Sequence, residues 1–204
     1  MLDRQRATLF PNFSCRKLVT MKKIAVIFFV LFASAAFADV GWRDADGKPI
    51  PDTESQKSVE GFGGLLLMTP DAEWEKKWNT KPQDVPQLDV ASTVKTGGQL
   101  FILTMFTNPQ LDAAGKANIT IDIDVRRPDG SASTHVEGGV CFQGKLAGPP
   151  LNVYICGSVI GFVGEASDLV GTWPVRVTLT DTARKVSVPL TTNFEFVKEQ
   201  QSSR

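Results

Sequence analysis

From Leu88 onward, hydrophobic and polar residues alternate with a period of two, the repeat of strands that bury one face. The clearest case sets Ile119, Ile121, Ile123 and Val125 between Thr120, Asp122, Asp124 and Arg126, and it runs into Arg127-Pro128-Asp129-Gly130, a turn sequence. A half-buried strand is expected there, with a return strand through 131–136. Trp173, Val175, Val177 and Leu179 alternate in the same way. A turn at 181–184 and the series Val186, Val188, Leu190, Phe194 and Phe196 then predict a terminal strand pair. By contrast, 99–107 carries Leu100-Phe101-Ile102-Leu103 and Met105-Phe106, apolar on both faces, as a central strand would be.

Upstream, 61–68 is a first apolar run, preceded by a polar stretch, 39–60, that reads as an extended or partly ordered leader. Thr69-Pro70-Asp71 has the chemistry of a helix start, with Thr69 as N-cap and Pro70 at the first helical position. Trp74 and Trp78 then share one face and Glu73 can pair with Lys77 on another, before Pro82 and Pro86 end the helix. Seven or more strands and one short helix predict an all-β fold, an antiparallel two-sheet β-sandwich. The sandwich should occupy 61–198, followed by a polar tail at 199–204.

The amino-terminal region has a different pattern. Met21-Lys22-Lys23 precedes the apolar run 24–32 and then Ala33-Ser34-Ala35-Ala36-Phe37-Ala38. Two lysines, an apolar core short for a membrane span and small residues at Ala36 and Ala38 predict a signal peptide, 21–38, cleaved after Ala38. Segment 1–20 lies in front of a methionine that already begins a complete signal. It is read as a mis-annotated extension ahead of a true start at Met21, the other reading being a long charged n-region. Both readings place the mature chain in the bacterial periplasm or outside the cell. No cysteine follows the signal, so no lipid anchor is expected, and the mature chain should not insert in a membrane.

Removing that region changes the charge. Six of the 22 basic and one of the 22 acidic residues precede Asp39, which leaves 16 basic and 21 acidic residues, a net of −5, on a chain of 166. One domain with a real core is the expectation. A mildly acidic chain with no long Lys/Arg cluster lacks the electrostatic footprint for nucleic acid or anionic lipid.

Export also fits the cysteines. After Asp39 only Cys141 and Cys156 remain, an even number for a compartment where disulfides persist. They lie in two β-prone runs placed symmetrically about Gly148-Pro149, which predicts a hairpin with the two cysteines opposite and bridged. A redox-active pair would need Cys-x-x-Cys spacing or a basic helix terminus, and neither is visible.

The stretch from Ile119 to Gly130 resembles the middle hairpin of bacterial immunoglobulin-like or fibronectin-type-III-like modules. The run from Gly171 to Asp181, followed by 186–197, is similar to their closing hairpin. The resemblance implies a binding, adhesive or spacer unit and covers under a third of the mature chain. Two departures from antibody-type domains stand out: the spacing of Cys141 and Cys156 is too short for a bridge between sheets, and no tryptophan lies between them. Pro174 within its strand suggests an edge or a bulge.

Catalytic signatures are thin. His135 is the one histidine, so a multi-histidine metal site is excluded and neither metal nor cofactor is expected. There is no Gly-x-Ser-x-Gly elbow. Gly61-Phe62-Gly63-Gly64 lacks the lysine of a phosphate-binding loop and reads as a flexible turn. Asp122 and Asp124 share a strand face about 7 Å apart, which suits a cation, but two carboxylates are too few for calcium and a solvated face is the simpler reading. Asn118-Ile119-Thr120 matches a glycosylation sequon, a chance match in a bacterium.

Two functions follow. The first is a non-catalytic interaction module that binds a protein or an envelope polymer, with Trp74, Trp78, Ile160 and Phe162 as candidate contacts. The second is a small secreted hydrolase that uses His135 with a nearby serine or acid. The exposure of His135 and its distance from a nucleophile discriminate between them.

Overall fold

The computed structural model describes residues 41–44, 46–80 and 86–198. The expected extension, signal peptide, Pro82 and polar tail lie outside these residues. Among them run β1 (Gln56–Val59), β2 (Phe62–Thr69), the helix α1 (Trp74–Trp78), β3 (Thr93–Lys95), β4 (Gln99–Thr107), β5 (Ala117–Arg126), β6 (Ala132–Gly144), β7 (Val153–Ile155), β8 (Ile160–Val163), β9 (Gly171–Asp181) and β10 (Val186–Val197). They form two five-stranded sheets. The first is ordered β1-β2-β4-β7, with β8 also on β4, and the second β3-β10-β9-β5-β6. The all-β two-sheet sandwich with one short helix is as the alternation predicts. No helix among the described residues is long and apolar enough to cross a membrane.

Each sheet turns its alternating apolar positions toward the other. Ile119, Ile121, Ile123 and Val125 of β5 meet Trp173, Val175, Val177 and Leu179 of β9, all 5% exposed or less, in one core with Leu100, Ile102 and Phe106 of β4. Two aromatic clusters close this core beside opposite ends of β4. Phe162 packs on Trp173, Phe194 and Phe196 at 4.7–5.9 Å between ring centres. At the other end Phe106 packs on Phe62, Phe142 and Tyr154. β4 is the central strand its two apolar faces predict, paired to β2 on one side and to β7 and β8 on the other.

Pairing is antiparallel except at one edge, where β3 lies parallel to the end of β10. The sheet also begins earlier than the pattern suggests, because 39–60 contains β1. Glu60 and Gly61, with φ of 49° and 82°, form the two-residue turn into β2, the left-handed pair that matches strand twist. Gly63 and Gly64 belong to β2 and not to a flexible turn. A Cβ on Gly63 would lie 2.6 Å from Thr107 Cγ2, and one on Gly64 3.0 Å from Leu190 Cδ1. Close packing, not mobility, requires glycine there.

The helix starts a turn later than Thr69-Pro70-Asp71 suggests. Thr69 is held in β2 by its pairing with Phe101, and α1 begins after Glu73 with no side-chain cap. Asp71 serves the return of the chain instead, accepting Lys77 Nζ at 2.7 Å and the Asp89 amide at 2.9 Å. Glu73 therefore pairs with Lys76 and not with Lys77. Pro174 lies in β9 opposite Asn193, one residue beyond Val175, where the pairing with β5 ends. Its missing N–H falls where the sheet is locally an edge.

The largest correction concerns the cysteines. Their bridge is formed, with Cα atoms 4.5 Å apart, but no hairpin carries it. The return strand and the first cysteine run are one strand, β6, on β5, while β7 pairs with β4. Residues 145–152 carry the chain from one sheet to the other. Cys156 N then donates to Thr104 O, and Gly157 N to Cys141 O, both at 2.8 Å. The bridge thus joins the sheets in spite of its short spacing. Thiol titration of the denatured, unreduced protein is expected to find neither cysteine free. Reduction should lower the unfolding free energy by about 3 kcal/mol, the chain-entropy value for a loop of this size. Two reactive thiols before reduction would refute the bridge.

Candidate functional site

The polar positions of β5, β6 and β9 lie together on the outer face of the second sheet. Register brings Asp124 of β5 opposite His135 of β6 on one side and opposite Arg176 of β9 on the other. A bulge in β6 between Val136 and Gly139 leaves Asp122 without a partner in β6, although it pairs with Thr178 of β9, and its carboxylate accepts the Gly138 amide at 2.7 Å. The result is a shallow, open depression of about 440 Å³ lined by Asp122, Asp124, His135, Glu137, Arg176 and Thr178.

Asp124 is its electrostatic centre. The Arg126 Nε–H is shared between both carboxylate oxygens at 3.0 and 2.9 Å, Arg176 Nη1 stands 3.6 Å away and His135 Nδ1 3.5 Å away. The hydrogen bond from Arg126 holds the Asp124 carboxyl below the usual carboxylate range, against an opposing effect of partial burial. The group is therefore anionic well into acid. Paired in this way, Asp122 and Asp124 do not form an open cation site, and no cluster of three or more metal-ligating residues occurs among the described residues.

His135 is 54% exposed, and its Nε2 lies 3.1 Å from Glu137 Oε1. Both ring nitrogens thus face carboxylates, and among the described residues no hydroxyl hydrogen-bonds to either. Ser131, a candidate nucleophile in the turn, is engaged with Asp129 through its amide and its hydroxyl. A histidine so placed is open to solvent and held between two carboxylates.

The other candidate contacts fall elsewhere. Trp74 and Trp78 are half-buried on α1. Ile160 and Phe162 of β8 face the core, with Phe162 inside an aromatic cluster, so the exposed face of that strand is Gly161 and Val163. The structure does not bring the four together. Sequence reading missed Arg126, Arg127 and Arg176. Their alternation with apolar neighbours was visible, but β5 and β9 are about fifty residues apart and only the strand order joins them.

Comparison with known proteins identifies no family for this chain. No protein-family model matches the chain, and no curated protein matches it. Among 34 solved chains that do match, a family 123 glycoside hydrolase from Clostridium perfringens has a TM-score of 0.39 and 9% identity over 68% of this chain. The match takes in only 28% of the hydrolase. A Niemann-Pick type C2 protein from the Japanese carpenter ant has a TM-score of 0.32 and 10% identity, covering 66% of this chain and 89% of its own. At these values neither likeness carries an activity to this chain.

Proposed function

We propose that this protein is an exported, non-catalytic interaction module that binds a protein or an envelope polymer in the bacterial periplasm or outside the cell. One observation carries the reading: His135, the one histidine of the chain, stands on an open strand face between two carboxylates, with no nucleophile at either ring nitrogen. The depression around it is shallow, whereas a hydrolytic site aligns a nucleophile or an activated water with its base. The charged outer face of β5, β6 and β9 is the binding surface in this reading. The signal-peptide pattern before Asp39 and the disulfide support export. The resemblance of 119–130 and 171–197 to immunoglobulin-like or fibronectin-type-III-like modules supports a binding role.

His135→Ala tests the reading against the hydrolase. The expected outcome is a change in stability within about 0.5 kcal/mol, as for ordinary surface substitutions, and no activity in either protein toward ester, amide, glycoside or phosphate substrates. A positioned general base would behave differently. Wild-type turnover that fell by a factor of about 10² to 10⁴ in the variant, with the fold intact, would overturn the module reading.

A further inference from the structure

We infer that the hollow between Arg126, Arg127 and Arg176 is an oxyanion site, where the partner presents a carboxylate or phosphate group. This hollow, about 450 Å³, adjoins the His135 depression and shares Arg176 with it. Pro128, Pro174 and Thr172 complete its wall. Its lining therefore holds three guanidinium groups and no carboxylate, on a chain whose net charge beyond residue 38 is −5.

The nearby acids stand behind or beside the hollow, each already engaged. Asp124 holds the Nε–H of Arg126, Asp129 accepts the amide and hydroxyl of Ser131, and Glu195 accepts the hydroxyl of Thr172. The contact with Asp124 fixes Arg126 without using all of its donors. Arg126 is anchored through Nε, and its Nη1 reaches Gly130 O only at 3.5 Å. Arg127 is tied to Ala132 O through Nη1. Arg176 is 63% exposed, and its closest acidic contact, 3.6 Å from Asp124, is longer than a hydrogen bond. Guanidinium groups held in place with free N–H edges suit oxygen anions, which they bind by paired, charge-assisted hydrogen bonds. The strands beneath supply the preorganisation: Arg126 ends β5, Arg127 opens the turn and Arg176 lies on β9 beside them.

The inference rests on the binding-module reading and names the chemistry of the partner. Calorimetric titration of the whole protein with inorganic phosphate and with citrate, at matched low ionic strength, tests it. Saturable binding of at least one is expected, weakening as sodium chloride is added. Phosphate alone would indicate a phosphate-bearing partner and citrate alone a carboxylate-bearing one. Arg176→Gln and Arg127→Gln should each weaken binding about tenfold, the worth of one charge-assisted hydrogen bond. Arg176→Lys should recover part of the loss, because it keeps the charge and loses the fork. Thermal unfolding of each variant separates lost binding from lost fold, and Arg176, exposed on the sheet surface, is the safer of the two positions.

No saturable binding of either anion, or binding unchanged in folded Arg176→Gln and Arg127→Gln, an adventitious ion only, would overturn the site. Failure of the underlying reading has another signature. A hydrolytic activity lost in His135→Ala would remove the module reading whatever the titration found. A partner co-purified equally by wild type and Arg176→Gln, without anion binding, would keep the module and remove the oxyanion site.

Discussion

Replacing Asp181 with alanine is expected to destabilise the fold by about 3–5 kcal/mol, the usual cost of removing one partner from a buried ion pair. Asp181 ends β9 and is fully buried. Its Oδ2 accepts the Gln110 amide at 2.7 Å, and its Oδ1 accepts the amides of Ala183 and Arg184 at 3.1 Å. Arg184 folds back so that its Nε stands 3.6 Å from Oδ2, an ionic contact too long for a hydrogen bond. The same guanidinium donates to Glu60 O and, at 2.9 Å, to Asn108 O, while Asn108 Nδ2 donates to Gly61 O. One carboxylate therefore secures the β9–β10 turn, the loop after β4 and the β1–β2 turn. Alanine would leave three amides without their acceptor, each with a desolvation penalty, and the Arg184 guanidinium without its counter-charge. Asp181→Asn should fall between wild type and alanine, because its carboxamide keeps the shape but offers one acceptor oxygen. Urea unfolding measures both. A loss below about 1 kcal/mol for Asp181→Ala would show that water replaces the carboxylate and that the network does not hold these loops.

Trp173→Ala should cost a comparable amount, about 3–5 kcal/mol, by a different mechanism. Trp173 is 1% exposed at the start of β9, stacked on Phe194 with ring centres 5.7 Å apart and edge-on to Phe162 at 4.9 Å. Its indole N–H donates to Leu169 O at 3.0 Å. Truncation removes the largest buried side chain of the core and opens a cavity between Phe162 and Phe194, beside the pairing of β9 with β10 that fixes the backbone there. The hydrogen bond matters less than the ring. Leu169 is 41% exposed, so its carbonyl can turn to water. Trp173→Phe should therefore lose clearly less than Trp173→Ala. In a domain of this size the alanine loss corresponds to a fall in Tm of roughly 10 °C, readable by calorimetry. Equal losses for phenylalanine and alanine would instead assign the effect to the indole N–H.

The strands were legible in the residue pattern because burial on one face imposes a period of two that needs no knowledge of partners. β5, β9 and β10, the Arg127-Pro128-Asp129-Gly130 turn and the two-sheet sandwich follow from that period and from turn chemistry, and β4 from a run apolar on both faces. Local chemistry was a poorer guide where two uses competed. Thr69 has the side chain of a helix cap, yet its backbone belongs to a strand, and the strand pairing prevails.

What only the tertiary structure decided is which strands are neighbours. Two cysteines placed symmetrically about Gly148-Pro149 look like a hairpin, because symmetry in sequence is all that a hairpin needs. A short arch between sheets gives the same symmetry, and it was the pairing of β6 with β5 and of β7 with β4 that made the bridge join two sheets. The surface site has the same origin. Asp124, His135 and Arg176 are separate outward-facing positions until the order β9-β5-β6 sets them side by side. Alternation tells which face a residue occupies, since that depends only on its own strand. Its neighbours across the sheet depend on long-range pairing, which the period of a strand does not encode.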